Sequence, residues 1–458
     1  MTGGKLNRSL VFCVKIAVFA FLLGFSVFGQ DKNPVVFIPG LAGSELRHKD
    51  TNERIWFRAF KSKSEDLRLP LSSDIARIHD DLIPGDVLRE VKIGVFPLTD
   101  VYGSFIRAME TRGGYHEEKW DTPSEEGYKD SLYVFPYDWR LDNVQNARLL
   151  VRKIEALKLT LKRPDLKFDL VAHSMGGIIS RYAVMYGDAD LPTGDAKPVP
   201  TWAGAKLFDK VILLGTPNEG AALALSNIVE GFTISGLRID LPFVQDMSKF
   251  TVFTIPSGYQ LLPAPGTLRA FDDKLQPISI DLFDPKVWTK YGWNVIDDKE
   301  FAKLFNAEER KVADDYFFAA LDRARRLHEA LAAAKGKSGG VEFDILGSDC
   351  KTASDAIIVY HDDKADKWKT IFRPKSFTRP DGRKVSEDEL KKLMNAPGDG
   401  IVAERSLRAE TQSEKAGMTS ILGSQSDVFV CEEHHKLGAN AKVQDYVIGI
   451  LDGKGKVN

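Results

Sequence analysis

Three cysteines in a chain of 458 residues are too few to staple a small scaffold together. Their positions, 13, 350 and 431, have no spacing that would hold a structural zinc ion. Charge of one sign is also missing: 63 Lys and Arg stand against 65 Asp and Glu, a formal net charge of −2. The basic residues are spread along the chain, so the phosphate-facing surface of a nucleic-acid binder is absent. Long apolar runs are scarce too, because after the first thirty residues no stretch is apolar enough to cross a bilayer. Internal repeats and low-complexity tracts are lacking, which excludes a solenoid or a disordered linker protein. What remains is an ordinary globular composition, 43% hydrophobic and 28% charged, long enough for one large α/β domain with insertions.

The first thirty residues differ from the rest. Lys5 and Arg8 precede SLVFCVKIAVFAFLLGFSVFG, an apolar stretch interrupted by Lys15 and ending before Gln30. A positive start, an apolar middle and small or apolar residues at the end predict an export signal over residues 1–29. Retention as a single membrane anchor is the alternative. The expected location is therefore exported, secreted or periplasmic. Cleavage would leave Cys350 and Cys431, and the spacing leaves open whether they pair or stay as two separate buried thiols.

Along the mature chain, short β-rich apolar runs alternate with helical patterns. PVVFI (34–38), SLYVF (131–135), KFDLVA (167–172), FDKVILL (208–214), VEFDIL (341–346) and DVFV (427–430) each stop at a turn. Within 143–159, Ala147, Leu150, Ile154 and Leu157 recur at helical spacing. Continuous apolar strands separated by helices predict a mostly parallel sheet covered on both faces. Residues 221–340 break that rhythm with a long helix around 314–334, which predicts a mainly helical cap inserted between sheet strands. The core is thereby split into 30–220 and 341–458, and the irregular segment 50–89 is too long for a simple connection.

The chemistry centres on DLVAHSMGG, residues 169–177. Ser174 stands between a strand run and a helical run. Ala172 and Gly176, two positions away on either side, are small, as a nucleophile elbow of the G-x-S-x-G kind requires at its sharp turn. A serine nucleophile needs a base, and in an α/β-hydrolase the order is serine, acid, histidine. Of eight histidines, only His434 and His435 follow the best acid, Asp399 in NAPGDGIVAERS. Asp349 is the fallback acid. His434 is the preferred base and His435 the alternative, since the two adjacent rings are not separated by spacing. The oxyanion hole draws on the Met175 N–H, next to the serine, and on Leu41 in the PGLAG turn. No metal site and no cofactor are expected.

The motifs FIPGLAGSEL, PYDWRLD, AHSMGG, LGTPNEG, PSGYQLLP and PGDGIVAERS, in that order over roughly residues 33–451, resemble those of the lecithin:cholesterol acyltransferase family, which includes lysosomal phospholipase A2. The resemblance implies an α/β-hydrolase fold and an acyl chain passed from a phospholipid to serine and then to an alcohol or water, with no cofactor. It implies Ser174 as nucleophile, Asp399 as acid and His434 or His435 as base. It also implies that 50–89 is a mobile lid over the acyl site. Within that lid Trp56, Phe57 and Phe60, interleaved with Arg and Lys, would meet a membrane or lipid-particle surface. The alternative reading is a carboxylesterase or lipase that only hydrolyses and has no acceptor site. No nucleic-acid partner is expected, and no motif speaks to oligomeric state.

Overall fold

The computed structural model describes residues 32–57, 67–93, 96–232, 246–334 and 338–454. The expected export segment 1–29 and the lid residue Phe60 lie outside the described residues.

Seven parallel strands form the central sheet. They are β1 (Val35–Ile38), β2 (His116–Glu117), β3 (Ser131–Val134), β4 (Phe168–His173), β5 (Phe208–Leu214), β6 (Glu342–Gly347) and β7 (Ser426–Phe429), in the spatial order β7-β6-β5-β4-β1-β3-β2. Every pairing in it is parallel. Six strands coincide with the apolar runs of the sequence. The two-residue edge strand β2 carries no apolar signal, since both its residues are exposed.

Alternation along these strands splits the core in two. Val36, Ile38, Leu170, Ala172, Val211 and Leu213 point to one face, while Val35, Phe37, Val171, Ile212 and Leu214 point to the other. The second face is closed by Phe105, Ile106 and Met109 of helix α1 (Gly103–Thr111) and by Val443, Val447 and Leu451 of the C-terminal helix Ala441–Leu451. The first face packs on α2 (Asn143–Thr160), α3 (Met175–Tyr186) and the cap. All four residues of the stripe in α2 are buried, and the Asp142 side chain caps its first turn by accepting from the Gln145 N–H.

Between β5 and β6, the described residues of 221–340 are mainly helical. The segment opens with α4 (Ala222–Glu230) and ends with α5 (Ala307–Ala332). Helix α5 starts earlier than its apolar stripe indicates, because Asn306 and Glu309 form a reciprocal capping box at its N-terminus. The cap also carries strand Arg269–Phe271, which pairs with Ala356–Asp362 from the later core segment. This four-stranded sheet is not legible in the sequence, since its partners come from two insertions far apart in the chain.

The described flanks of segment 50–89 are built into the fold. Ser44–His48, Arg54–Trp56 and Leu82–Val87 make a three-stranded antiparallel sheet. Leu67, Leu69, Leu71, Ile75 and Ile78 are buried in the main core. Arg140 of the PYDWRLD motif is fully buried, and its guanidinium bonds Asp138 at 2.7 Å, Asp80 at 2.7 Å and the Leu67 carbonyl at 3.3 Å. That motif thus fastens the far flank of the segment to the strand end.

Candidate active site

Strand β4 ends in His173, and Ser174 turns the chain directly into α3 with φ 53° and ψ −124°. A non-glycine residue at positive φ is strained, and here the turn is held by the Ser174 N–H donating to the Leu214 carbonyl at 2.8 Å. The small neighbours have a concrete cause. A Cβ on Gly176 would lie 2.6 Å from the Ile38 carbonyl oxygen and 2.7 Å from that of Pro39. One on Gly40 would lie 2.8 Å from the Ser174 Cβ. Backbone from β1 therefore passes against the elbow, which brings the PGLAG turn to the serine.

Three predicted residues meet at this point. His434 Nε2 lies 2.8 Å from Ser174 Oγ, and His434 Nδ1 lies 2.6 Å from Asp399 Oδ2. Asp399 is buried, and its Oδ1 accepts from the N–H groups of Ile401 (3.0 Å) and Val402 (2.7 Å). Its own carbonyl accepts from the His434 N–H at 2.8 Å, so the acid loop and the histidine loop are joined through backbone and side chain together. His435 also lines the cavity, but its ring pairs differently: its Nε2 is 3.7 Å from a Glu433 carboxylate oxygen, and partial burial lowers its pKa below the ordinary histidine value. Asp349, the fallback acid, is exposed on the loop after β6.

Met175 is buried at the first position of α3, where helical N–H groups have no partner within the helix. Leu41 lines the cavity onto which Ser174 opens. That cavity, of about 230 Å³, has Ser174 and His434 in its wall beside Leu41, Trp56, Phe57 and Leu223, and it is predominantly apolar. Trp56 is 1% exposed, its Nε1–H donates to the Ala42 carbonyl at 2.8 Å, and its ring meets Trp139 edge-on at 5.2 Å. Trp56 and Phe57 are thus both cavity wall and packed core.

One alternative that the sequence left open is decided by the structure, and one feature escaped the sequence reading. Cys350 and Cys431 form a disulfide with Cα atoms 5.2 Å apart, joining the loops after β6 and β7, three residues before His434. Beside the serine in the cavity wall, Tyr102 at the start of α1 and His173 form a buried polar pair, and burial together with the neighbouring His434 holds His173 down to about 3. Tyr102 lies 72 residues before Ser174, outside every motif, and no sequence signal would have found it.

The fold is that of an α/β-hydrolase, and the Ser174–His434–Asp399 line lies at its elbow. The family model of the lecithin:cholesterol acyltransferases matches residues 115–299. Phospholipase A(1) LCAT3 of Arabidopsis thaliana is 24% identical over 372 residues, covering 71% of this chain and 75% of its own. Among solved structures, the Tle4–Tli4 complex contains a chain of similar fold at 15% identity with a TM-score of 0.51, covering 92% of this chain and 98% of that one. Over residues 115–299 the chain is similar to the lecithin:cholesterol acyltransferase family whose motifs its sequence resembles.

Proposed function

We propose that the protein is a serine-dependent lipid acyl-ester hydrolase and acyltransferase that works through an acyl-enzyme on Ser174. The observation that carries this reading is the hydrogen-bonded line Ser174–His434–Asp399, opening into an apolar cavity. Ser174 Oγ attacks the ester carbonyl while His434 Nε2 takes its proton, and Asp399 holds the opposite ring nitrogen as a donor. The oxyanion that develops faces the Leu41 and Met175 N–H groups. His434 then protonates the leaving alcohol, and the acyl chain stays on Ser174. A second alcohol, or water, attacks the acyl carbonyl while giving its proton to His434, and His434 returns that proton to Ser174 Oγ as the chain leaves as an ester or an acid. No cofactor is required by these steps.

The donor is a lipid in this proposal because the cavity offers Trp56, Phe57, Leu41 and Leu223 to an acyl chain and few charges to anything else. Residues 1–29 are the export segment, and a disulfide beside the base loop supports an oxidising compartment. The core comprises 30–220 and 341–458, with the lid at 50–89 and the cap at 221–340. The test is incubation of purified mature protein with phospholipid vesicles, with and without an added long-chain alcohol, followed by lipid analysis. Free fatty acid in both arms and a new ester in the second supports hydrolysis with transfer. Fatty acid alone in both arms reduces the proposal to hydrolysis. A fluorophosphonate that fails to label Ser174 would overturn it.

A further inference from the structure

The loop that carries Leu41, the elbow that carries Ser174 and the loop that carries His434 are separate stretches of chain, and one buried line of hydrogen bonds links all three. The Gly40 N–H donates to the Tyr102 hydroxyl at 3.0 Å. The Tyr102 hydroxyl is 2.9 Å from His173 Nδ1, and His173 Nε2 is 3.0 Å from the His434 carbonyl oxygen. The direction of the line follows from what each end can do. A backbone N–H only donates, so the phenol accepts from Gly40 and gives its single proton to His173 Nδ1. The proton on the imidazole is then on Nε2, where it meets a carbonyl that only accepts.

Tyr102 is 4% exposed and His173 6%, so water does not supply substitute partners freely. The two rings meet at 5.7 Å between centroids, and the His173 ring sits 4.9 Å from that of His434. We propose that Tyr102 and His173 are positioning residues, which set the oxyanion turn and the base loop in register with Ser174. They form no bond to the reacting atoms. They act through the backbone of Gly40, next to Leu41, and through the backbone of His434. His173 must be neutral for this, since a second proton on Nδ1 would leave the Tyr102 hydroxyl without an acceptor for its own proton. A charged His173 would also oppose the imidazolium that forms on His434 during turnover. The low pKa that burial enforces keeps it neutral.

This inference rests on the proposed role of Ser174, and the experiment separates the two. Full-length mature protein is assayed with a short, soluble p-nitrophenyl ester, with melting temperatures measured alongside. Tyr102→Phe keeps the ring and deletes one hydroxyl. It is expected to lower kcat roughly 10-fold with KM nearly unchanged, because misplacement of the catalytic groups by a fraction of an ångström affects the transition state. His173→Leu should lose more. His173→Gln, whose amide can still donate toward the His434 carbonyl, should recover part of that loss. Wild-type kcat in Tyr102→Phe, or equal kcat in the Leu and Gln variants, would overturn the inference. So would a lowered melting temperature with unchanged kcat below it, since that marks a packing role. Ser174→Ala is the control: if it stays active, the nucleophile assignment itself has failed.

Discussion

In the proposed mechanism, Ser174 is the one side chain in the elbow whose loss should leave the turn intact and remove the chemistry. Alanine fits where serine does, since the strain lies in the backbone and the neighbours are already small. Ser174→Ala should fold normally and lose activity on the order of 10⁶-fold in kcat, if the three groups act as a unit. Steady-state assays on a soluble ester check this, and retention of a tenth of the activity would place the nucleophile elsewhere. The two adjacent histidines make a sharper comparison. His434 is within 2.8 Å of Ser174 Oγ, while His435 pairs loosely with Glu433. His434→Gln is expected to be inactive and His435→Gln nearly wild-type. Equal activity in the two variants would remove the base from this loop.

Elements decide what those residues can do. Trp56 ends a three-residue strand, fills space against Trp139 and holds the Ala42 carbonyl in the same turn as Leu41. Trp56→Ala should therefore open a cavity costing about 3 to 5 kcal/mol, with a lowered melting temperature. Activity should fall on a soluble ester and on lipid vesicles alike. Selective loss on vesicles at unchanged stability would instead mark Trp56 as a moving lid residue. The disulfide makes a second case. It closes a loop of sequence separation 81 between the ends of neighbouring strands β6 and β7, just before the base. Cys431→Ser should lose up to about 4 kcal/mol by the chain-entropy argument. Cys350→Ser should lose as much, since either change breaks the same bond. Reductant should destabilise the wild-type chain and leave both variants unchanged, as thermal melts would record.

At the scale of the whole molecule, acid should unfold the protein from the pH at which free histidine titrates. Burial pushes His173 down to about 3 and His328 down to about 4. In the unfolded chain both recover a value near 6.5, so below that pH the unfolded state takes up protons that the folded state refuses. Their contribution to stability is complete above about 6.5 and is lost as pH falls towards 3 to 4. Asp169 acts in the opposite sense. Burial raises it to about 6, so it favours the folded state more at low pH and partly offsets the histidines between about 4 and 6. Melting temperature should decline as pH drops from 7 to 5, and His328→Gln should flatten that decline if it folds. A flat profile in the wild type would contradict the burial of both rings.

The sequence by itself determined the local parts. Apolar runs placed six of seven sheet strands, since strands covered on both faces are mostly apolar. Ala172, Ser174 and Gly176 marked the elbow, since no bulky side chain fits where β1 passes against it. The order of serine, acid and histidine narrowed the base to two adjacent residues. Tertiary structure alone decided which of them faces the serine. His434 and His435 open a 3₁₀ turn, where neighbouring side chains diverge by about a third of a revolution, and the bond from the His434 N–H to the Asp399 carbonyl holds His434 against the serine. The pairing of Cys350 with Cys431 and the link from Tyr102 to His173 likewise depend on how distant loops cross. Such contacts have no periodicity, because they join single residues through the fold and leave the pattern of each element unchanged.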